Sequence, residues 1–103
     1  MKIAIASEGP TENDMVSPIT GRAPYFLIFE GEKLIKSVKN PFAFGGGGAG
    51  FGVAQMLSNE GVEVLVSGRV GPNVQAFLES KGIKMVSMSN ITVKEALKRV
   101  LNA

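Results

Sequence analysis

VEVLVSGRVGPNVQAFLESKGIKMVSM, residues 62–88, is the stretch that decides the fold. Val62 to Val66 is a short, β-branched apolar run of strand length. Ser67-Gly68-Arg69-Val70-Gly71 interrupts it with turn chemistry. Pro72 then stands where a helix tolerates it, in the first turn, because its missing N–H has no intrahelical partner there. Val74, Phe77 and Leu78 recur at helical spacing, Gly82 ends the helix, and residues 83–88 return to strand. Strand, helix and strand in this order make a crossover unit, which closes right-handed into a parallel pair.

Upstream of that unit the pattern changes. Residues 2–7 form a short apolar strand, and Tyr25-Phe26-Leu27-Ile28-Phe29-Glu30 is a second. Gly31-Glu32 makes a tight turn into residues 33–39, so these two strands form an antiparallel hairpin that ends at Asn40-Pro41. Lys33, Lys36 and Lys39 are expected to share one solvated strand face. A helix follows, with Ala49, Val53, Met56 and Leu57 on one stripe and Gly61 at its C′ position. Downstream, Thr92-Val93-Lys94-Glu95 is a capping box. Ile91 and Ala96 occupy its staple positions, and Val93, Ala96, Leu97, Val100 and Leu101 form a stripe. The order is β-β-β-α-β-α-β-α. It predicts an α/β fold with a mixed five-stranded sheet covered by three helices.

Length and composition narrow the function. A chain of 103 residues is one domain, 1–103, able to bury a core without staples. With no Cys there is no disulfide, and with neither Cys nor His the usual ligands for a soft metal are missing. The net charge of +2 gives no basic stripe for nucleic acid. No apolar run approaches the ~20 residues that span a bilayer, and Met1 to Ala6 is too short for a signal peptide. The expectation is a soluble cytoplasmic protein that binds neither nucleic acid nor membrane. Nucleophilic catalysis has no base beside Ser7 or Ser67, so the chain is expected not to be an enzyme.

Three loops are left as site candidates. Residues 8–24 are a long loop rich in Gly, Pro, Asn and Asp, containing Glu8, Glu12, Asp14, the thioether of Met15, and Gly21-Arg22. Gly45-Gly46-Gly47-Gly48-Ala49-Gly50 lies directly ahead of a helix, where backbone N–H groups can cradle an anion. It matches G-x-G-x-x-G at Gly45, Gly47 and Gly50. However, a hairpin strand precedes it and Glu63 lies early in its strand, unlike the dinucleotide fingerprint. No Lys-Ser/Thr follows Gly50, so it is not a Walker A loop either. Ser67-Gly68-Arg69-Val70-Gly71 lies outside the carboxyl end of a parallel strand, where open α/β sheets gather ligands. Ser7 should share that edge. Arg22 and Arg69 are the anion partners.

The run of Met1 to Ser7, Gly21 to Phe26, the glycine run, Glu60-Gly61-Val62, Ser67 to Gly71, Lys81-Gly82-Ile83 and Thr92 to Leu97, in this order and spacing, resembles the dinitrogenase iron–molybdenum cofactor biosynthesis family. That family includes the NifX and NafY carriers, the carboxyl-terminal domain of NifB and orange-protein-type cluster binders. The resemblance covers the whole chain. It implies a ribonuclease H-like three-layer fold with sheet order 3-2-1-4-5 and an antiparallel second strand. Strand 2–7 carries no carboxylate, so nuclease chemistry is not implied with it.

The resemblance also implies a non-enzymatic carrier of an anionic iron–sulfur or molybdenum-containing cluster. Its partners would be a metallocluster donor or acceptor protein, and its state a monomer or weak homo-oligomer. Many such carriers place Cys or His near the cluster. Here the ligand would instead be held non-covalently by Ser7, Gly21, Arg22, Gly45, Gly46, Gly47, Gly48, Gly50, Ser67, Gly68, Arg69 and Gly71. Two other readings use the same loops: a sensor of a phosphorylated metabolite, and an interaction domain whose loop orders on a protein partner.

Overall fold

The computed structural model describes residues 1–43 and 49–103; Gly45 to Gly48 lie outside them. Five strands form one sheet: β1 (Lys2–Ser7), β2 (Tyr25–Glu30), β3 (Lys33–Lys39), β4 (Val64–Ser67) and β5 (Lys84–Ser87). Their order is β3-β2-β1-β4-β5. β2 is antiparallel to β1 and β3, whereas β4 is parallel to β1 and β5. Helices α1 (Ala49–Asn59), α2 (Pro72–Ser80) and α3 (Val93–Leu101) complete the α/β fold. None of the described helices is long and apolar enough to cross a membrane.

The pleat sorts the core into two layers, because successive strand residues point to opposite faces. Ala4, Ala6, Phe26, Ile28 and Leu65 pack with Val53, Ala54 and Leu57 of α1 and Leu78 of α2. Ile3, Ile5, Leu27, Phe29, Val64 and Val66 pack with Val93, Ala96 and Leu97 of α3. Central β1 is buried on both faces.

Two strands start later than the apolar runs predict, for one reason. Val62 N–H donates to Leu57 O at 3.2 Å and Gly61 N–H to Ser58 O at 3.1 Å. Ile83 N–H likewise donates to Leu78 O, and Gly82 N–H to Glu79 O, both at 3.0 Å. These are paired Schellman closures, with Gly61 (φ 77°) and Gly82 (φ 76°) in the left-handed region. Val62 and Ile83 therefore close helices before the strands begin.

The lysine face also needs correcting. The β2–β3 register steps from Ile28↔Lys36 to Phe29↔Leu34, so Ile35 is an extra, bulged residue. The bulge brings Lys33 and Lys36 onto the face of Val38, towards α1, where Lys36 Nζ reaches Glu60 Oε2 at 2.6 Å. Lys39 falls on the opposite face with Leu34.

Residues 8–24 are a loop, as expected, and it is firmly tied. Glu8 N–H donates to Met15 O and Val16 N–H to Ile91 O, both at 2.9 Å. Carbonyls of Glu12 and Asp14 accept from Lys94 and Val93 at the start of α3, at 2.8 and 2.9 Å. Thr92 caps that helix, its hydroxyl accepting from Glu95 N–H at 3.2 Å.

Candidate functional site at the carboxyl edge

The crevice expected where β1 and β4 end is occupied by the chain itself. Ser17 N–H donates to Ala6 O at 2.7 Å and Gly68 N–H donates to Ser17 O at 2.9 Å. The segment thus bridges the ends of both strands. It then runs alongside the 67–71 loop, with Ile19 paired in parallel to Arg69 and Thr20 N–H donating to Arg69 O at 3.1 Å. Buried Thr20 donates its hydroxyl to Ser67 Oγ at 2.8 Å. A short 3-10 turn, Thr20–Arg22, follows. Asn40 holds it from behind, its side-chain amide donating to Gly21 O at 3.2 Å and Ala23 O at 2.8 Å.

This arrangement brings Arg22 and Arg69, both exposed, onto paired segments of one edge. Arg22 Nη1 lies 3.5 Å from Ala43 O, just ahead of the glycine run. The other end of that run enters α1, whose Gly50 packs against α2. A Cβ at Gly50 would lie 2.5 Å from Val74 Cγ2. The two helices therefore begin side by side, with Gly71 the N-cap of α2 and open space around it. Helix N-termini carry partial positive charge, which complements the two guanidinium groups.

The candidate residues fall into distinct positions. Gly21, Arg22, Gly50, Ser67, Gly68, Arg69 and Gly71 converge on the α1–α2 side of the carboxyl edge. Gly50 and Gly68 have packing reasons to be glycine: Gly68 has Pro18 O only 2.5 Å from where a Cβ would sit. Ser67 is buried, its hydroxyl engaged by Thr20. Ser7 stands apart. With Ile5 opposite Val66, the pleat turns Ser7 to the α3 face and Ser67 to the α1–α2 face. Ser7 is fully buried, and its hydroxyl donates to Gly9 O at 2.7 Å. Sequence reasoning missed Ser17, Thr20 and Asn40, which hold the edge together. Asn40 was read only as a strand end, and nothing in the loop's composition distinguishes Thr20 from its neighbours.

Two cavities open near this edge. One, of about 490 Å³, opens beside Ser67, Gly68, Arg69 and Val70. The other, of about 480 Å³, is bordered by Glu8, Asp14, Met15 and Pro18. An anion is favoured beside Arg69 and disfavoured beside the two carboxylates. Among the described residues there is no grouping of three or more acidic, His or Cys side chains able to hold a metal ion.

Known proteins share this architecture. The apo orange protein of Desulfovibrio gigas superposes with a TM-score of 0.92 at 34% identity, covering 98% of this chain and 87% of that one. A candidate NifB protein of Thermotoga gives 0.82 at 33% identity, covering 99% and 88%. An uncharacterized protein of Methanocaldococcus jannaschii is 29% identical over 105 residues, which is 98% of this chain and 86% of the relative. The strand order and strand directions are those expected of a NifX-like domain. The family model for dinitrogenase iron-molybdenum cofactor matches residues 1–103, and the chain belongs to that family.

Proposed function

We propose that the protein is a non-enzymatic carrier of an anionic metal–sulfur cluster, held without covalent ligands on the α1–α2 side of the carboxyl edge. The observation that carries this reading is the pairing of residues 17–20 with Gly68 and Arg69, followed at once by the turn that holds Arg22. It sets Arg22 and Arg69 on one edge, beside the starts of two helices. Guanidinium groups bind thiometallate or oxoanion faces as forked donors. Gly71 at the start of α2 and, from the sequence, the glycine run 45–48 would supply backbone N–H groups with no side chains in the way, while Gly68 N–H is spent on Ser17 O and holds the edge together. Ser67 and Gly50 serve the site by holding its walls, and Ser7 lies outside it on the α3 face. The cargo comes from, and passes to, metallocluster-handling proteins.

The test is an anaerobic amide NMR titration with tetrathiomolybdate. Saturable shifts at Arg22, Gly50 and Gly68 to Gly71, weakened about tenfold by Arg69→Gln, are expected. No shift at millimolar thiometallate would sink the reading. Equal shifts with inorganic phosphate would favour a phosphometabolite sensor instead.

A further inference from the structure

The two edges of the sheet are built differently. The β3 edge carries Lys33, Lys36 and Lys39 and a bulge at Ile35. Edge lysines and bulges are the devices that keep a sheet from accepting another strand. The β5 edge, Lys84-Met85-Val86-Ser87, has one lysine, no proline and an uninterrupted register with β4. Lys84 N–H donates inward to Glu63 O at 2.9 Å and Met88 N–H to Ser67 O at 3.0 Å. In a parallel ladder, donors alternate in direction along the strand. Met85 and Ser87 therefore turn their backbone N–H and C=O groups outward, and among the described residues no strand lies beyond β5 in the sheet order.

This edge borders the 490 Å³ cavity, walled by Gln75 and Glu79 of α2 and floored by Val70, Ile83 and Met85 of β5 and its neighbouring loops. Glu79 is engaged by Gln75 Nε2 at 3.3 Å. Arg69 stands at one end of the groove and Lys84 at the other. An outward-facing strand edge beside a helix-walled, apolar-floored groove is the geometry for strand addition.

We infer that β5 and α2 form a docking groove for an extended segment of a partner protein, added as a sixth strand, with carboxylates at its ends facing Arg69 and Lys84. A second copy of this chain fits less well. A four-residue edge buries far less than the roughly 1,200–2,000 Å² of a stable interface. Antiparallel self-pairing would also converge the cations of both copies. The inference does not depend on the cargo reading, and its reporting residues, Met85 and Ser87, differ from those that would report cargo.

The probe is the peptide acetyl-Asp-Val-Thr-Val-Asp-amide, titrated into the isotope-labelled protein. Saturable shifts at Met85, Ser87, Lys84 and Arg69 are expected, with amide exchange of Met85 and Ser87 slowed at least about tenfold at saturation. A twin with Lys in place of both Asp should bind about tenfold more weakly. Met85→Pro removes an outward donor together with the Met85 side chain of the groove floor but no inward hydrogen bond, so β4–β5 pairing should survive and peptide binding should be lost, whereas Met85→Ala, which keeps the N–H, should still bind. A peptide methylated on every backbone nitrogen should fail with the unaltered protein. The inference is overturned by absent shifts at millimolar peptide, by undiminished binding of the methylated peptide or of folded Met85→Pro, or by a protein dimer that already protects Met85.

Discussion

Gly68→Ala tests whether the 17–20 segment belongs between β1 and β4. The new Cβ would lie 2.5 Å from Pro18 O, 2.6 Å from its Cα and 2.8 Å from its carbonyl carbon. All three are backbone atoms, so no rotamer change relieves the clash, and Pro18 must retreat by nearly an ångström. The segment cannot yield freely, because Ser17 N–H is bonded to Ala6 O at 2.7 Å and Thr20 N–H to Arg69 O at 3.1 Å. Overpacking of this kind costs about 1–3 kcal/mol, and loosening the Gly68–Ser17 hydrogen bond adds about 1 kcal/mol. The expected loss of about 2–4 kcal/mol is a large fraction of the stability of a small domain. It corresponds to a fall in melting temperature of about 8–16 °C. Urea unfolding followed by circular dichroism measures it. Gly71→Ala is the control: no atom lies within 4 Å of its added Cβ, and the change should stay within about 0.5 kcal/mol. If Gly68→Ala is as stable as the parent, the close approach of Pro18 does not exist in solution and the account of the edge fails.

Thr20→Val should cost about 1–3 kcal/mol, because it strips the buried Ser67 hydroxyl of its 2.8 Å partner; Thr20→Ser, which keeps the hydroxyl, should recover most of that in the same urea titration. Thr92→Ala removes the acceptor of Glu95 N–H, and should cost about 1 kcal/mol, read as the loss in chemical denaturation. The terminal ammonium lies 2.8 Å from Glu30 Oε2, so hydrogen bonding and charge lower the Glu30 pKa and raise that of the amine. The Glu30 contribution is present above its unfolded pKa and disappears as pH falls through the folded one, whereas the amine's is present below its unfolded pKa and disappears as pH rises through the folded one. Carboxyl NMR should show Glu30 titrating below the ordinary glutamate range and returning to it once the amine is acetylated; an unchanged titration would refute the pairing.

Most of the fold was legible because its signals are local. Periodicity marks all three helices, Gly31-Glu32 marks the hairpin, and Gly61 and Gly82 mark helix ends by the positive φ they supply. Strand boundaries were less legible, since Val62 and Ile83 are as β-prone as the residues after them and only the Schellman hydrogen bonds assign them to helix ends. Strict alternation in β3 separates Lys36 from Lys33 and Lys39, so no single lysine face is legible there; the bulge at Ile35, which leaves no trace in composition, then brings Lys33 onto the side of Lys36 and leaves Lys39 opposite. The site was legible as loops but not as geometry. Arg22 and Arg69 are 47 residues apart, and what brings their segments to one edge is Ile19 pairing with Arg69 across an irregular bridge. Likewise, Ser7 and Ser67 look equivalent as strand-end serines. Only the register between β1 and β4 reveals that they face opposite layers.

On the proposed reading, the absence of Cys and His becomes a kinetic property. A charge-assisted hydrogen bond to an anion contributes about 1.5–3 kcal/mol net, because solvent screening removes most of the gross Coulomb attraction at an exposed arginine. Two arginines and a few backbone N–H groups then sum to about 5–8 kcal/mol, a dissociation constant between roughly 100 μM and 1 μM. With an association rate constant of about 10⁷ M⁻¹s⁻¹, such a complex dissociates in milliseconds to a tenth of a second. A thiolate or imidazole ligand would lengthen that residence greatly, since a metal–ligand bond would have to break before release. A site built from backbone and guanidinium therefore suits passing a cluster onward rather than storing it. The Glu8 and Asp14 carboxylates beside Pro18 would disfavour an anionic cargo on the other side of the 17–20 segment and so leave it on the side of the arginines.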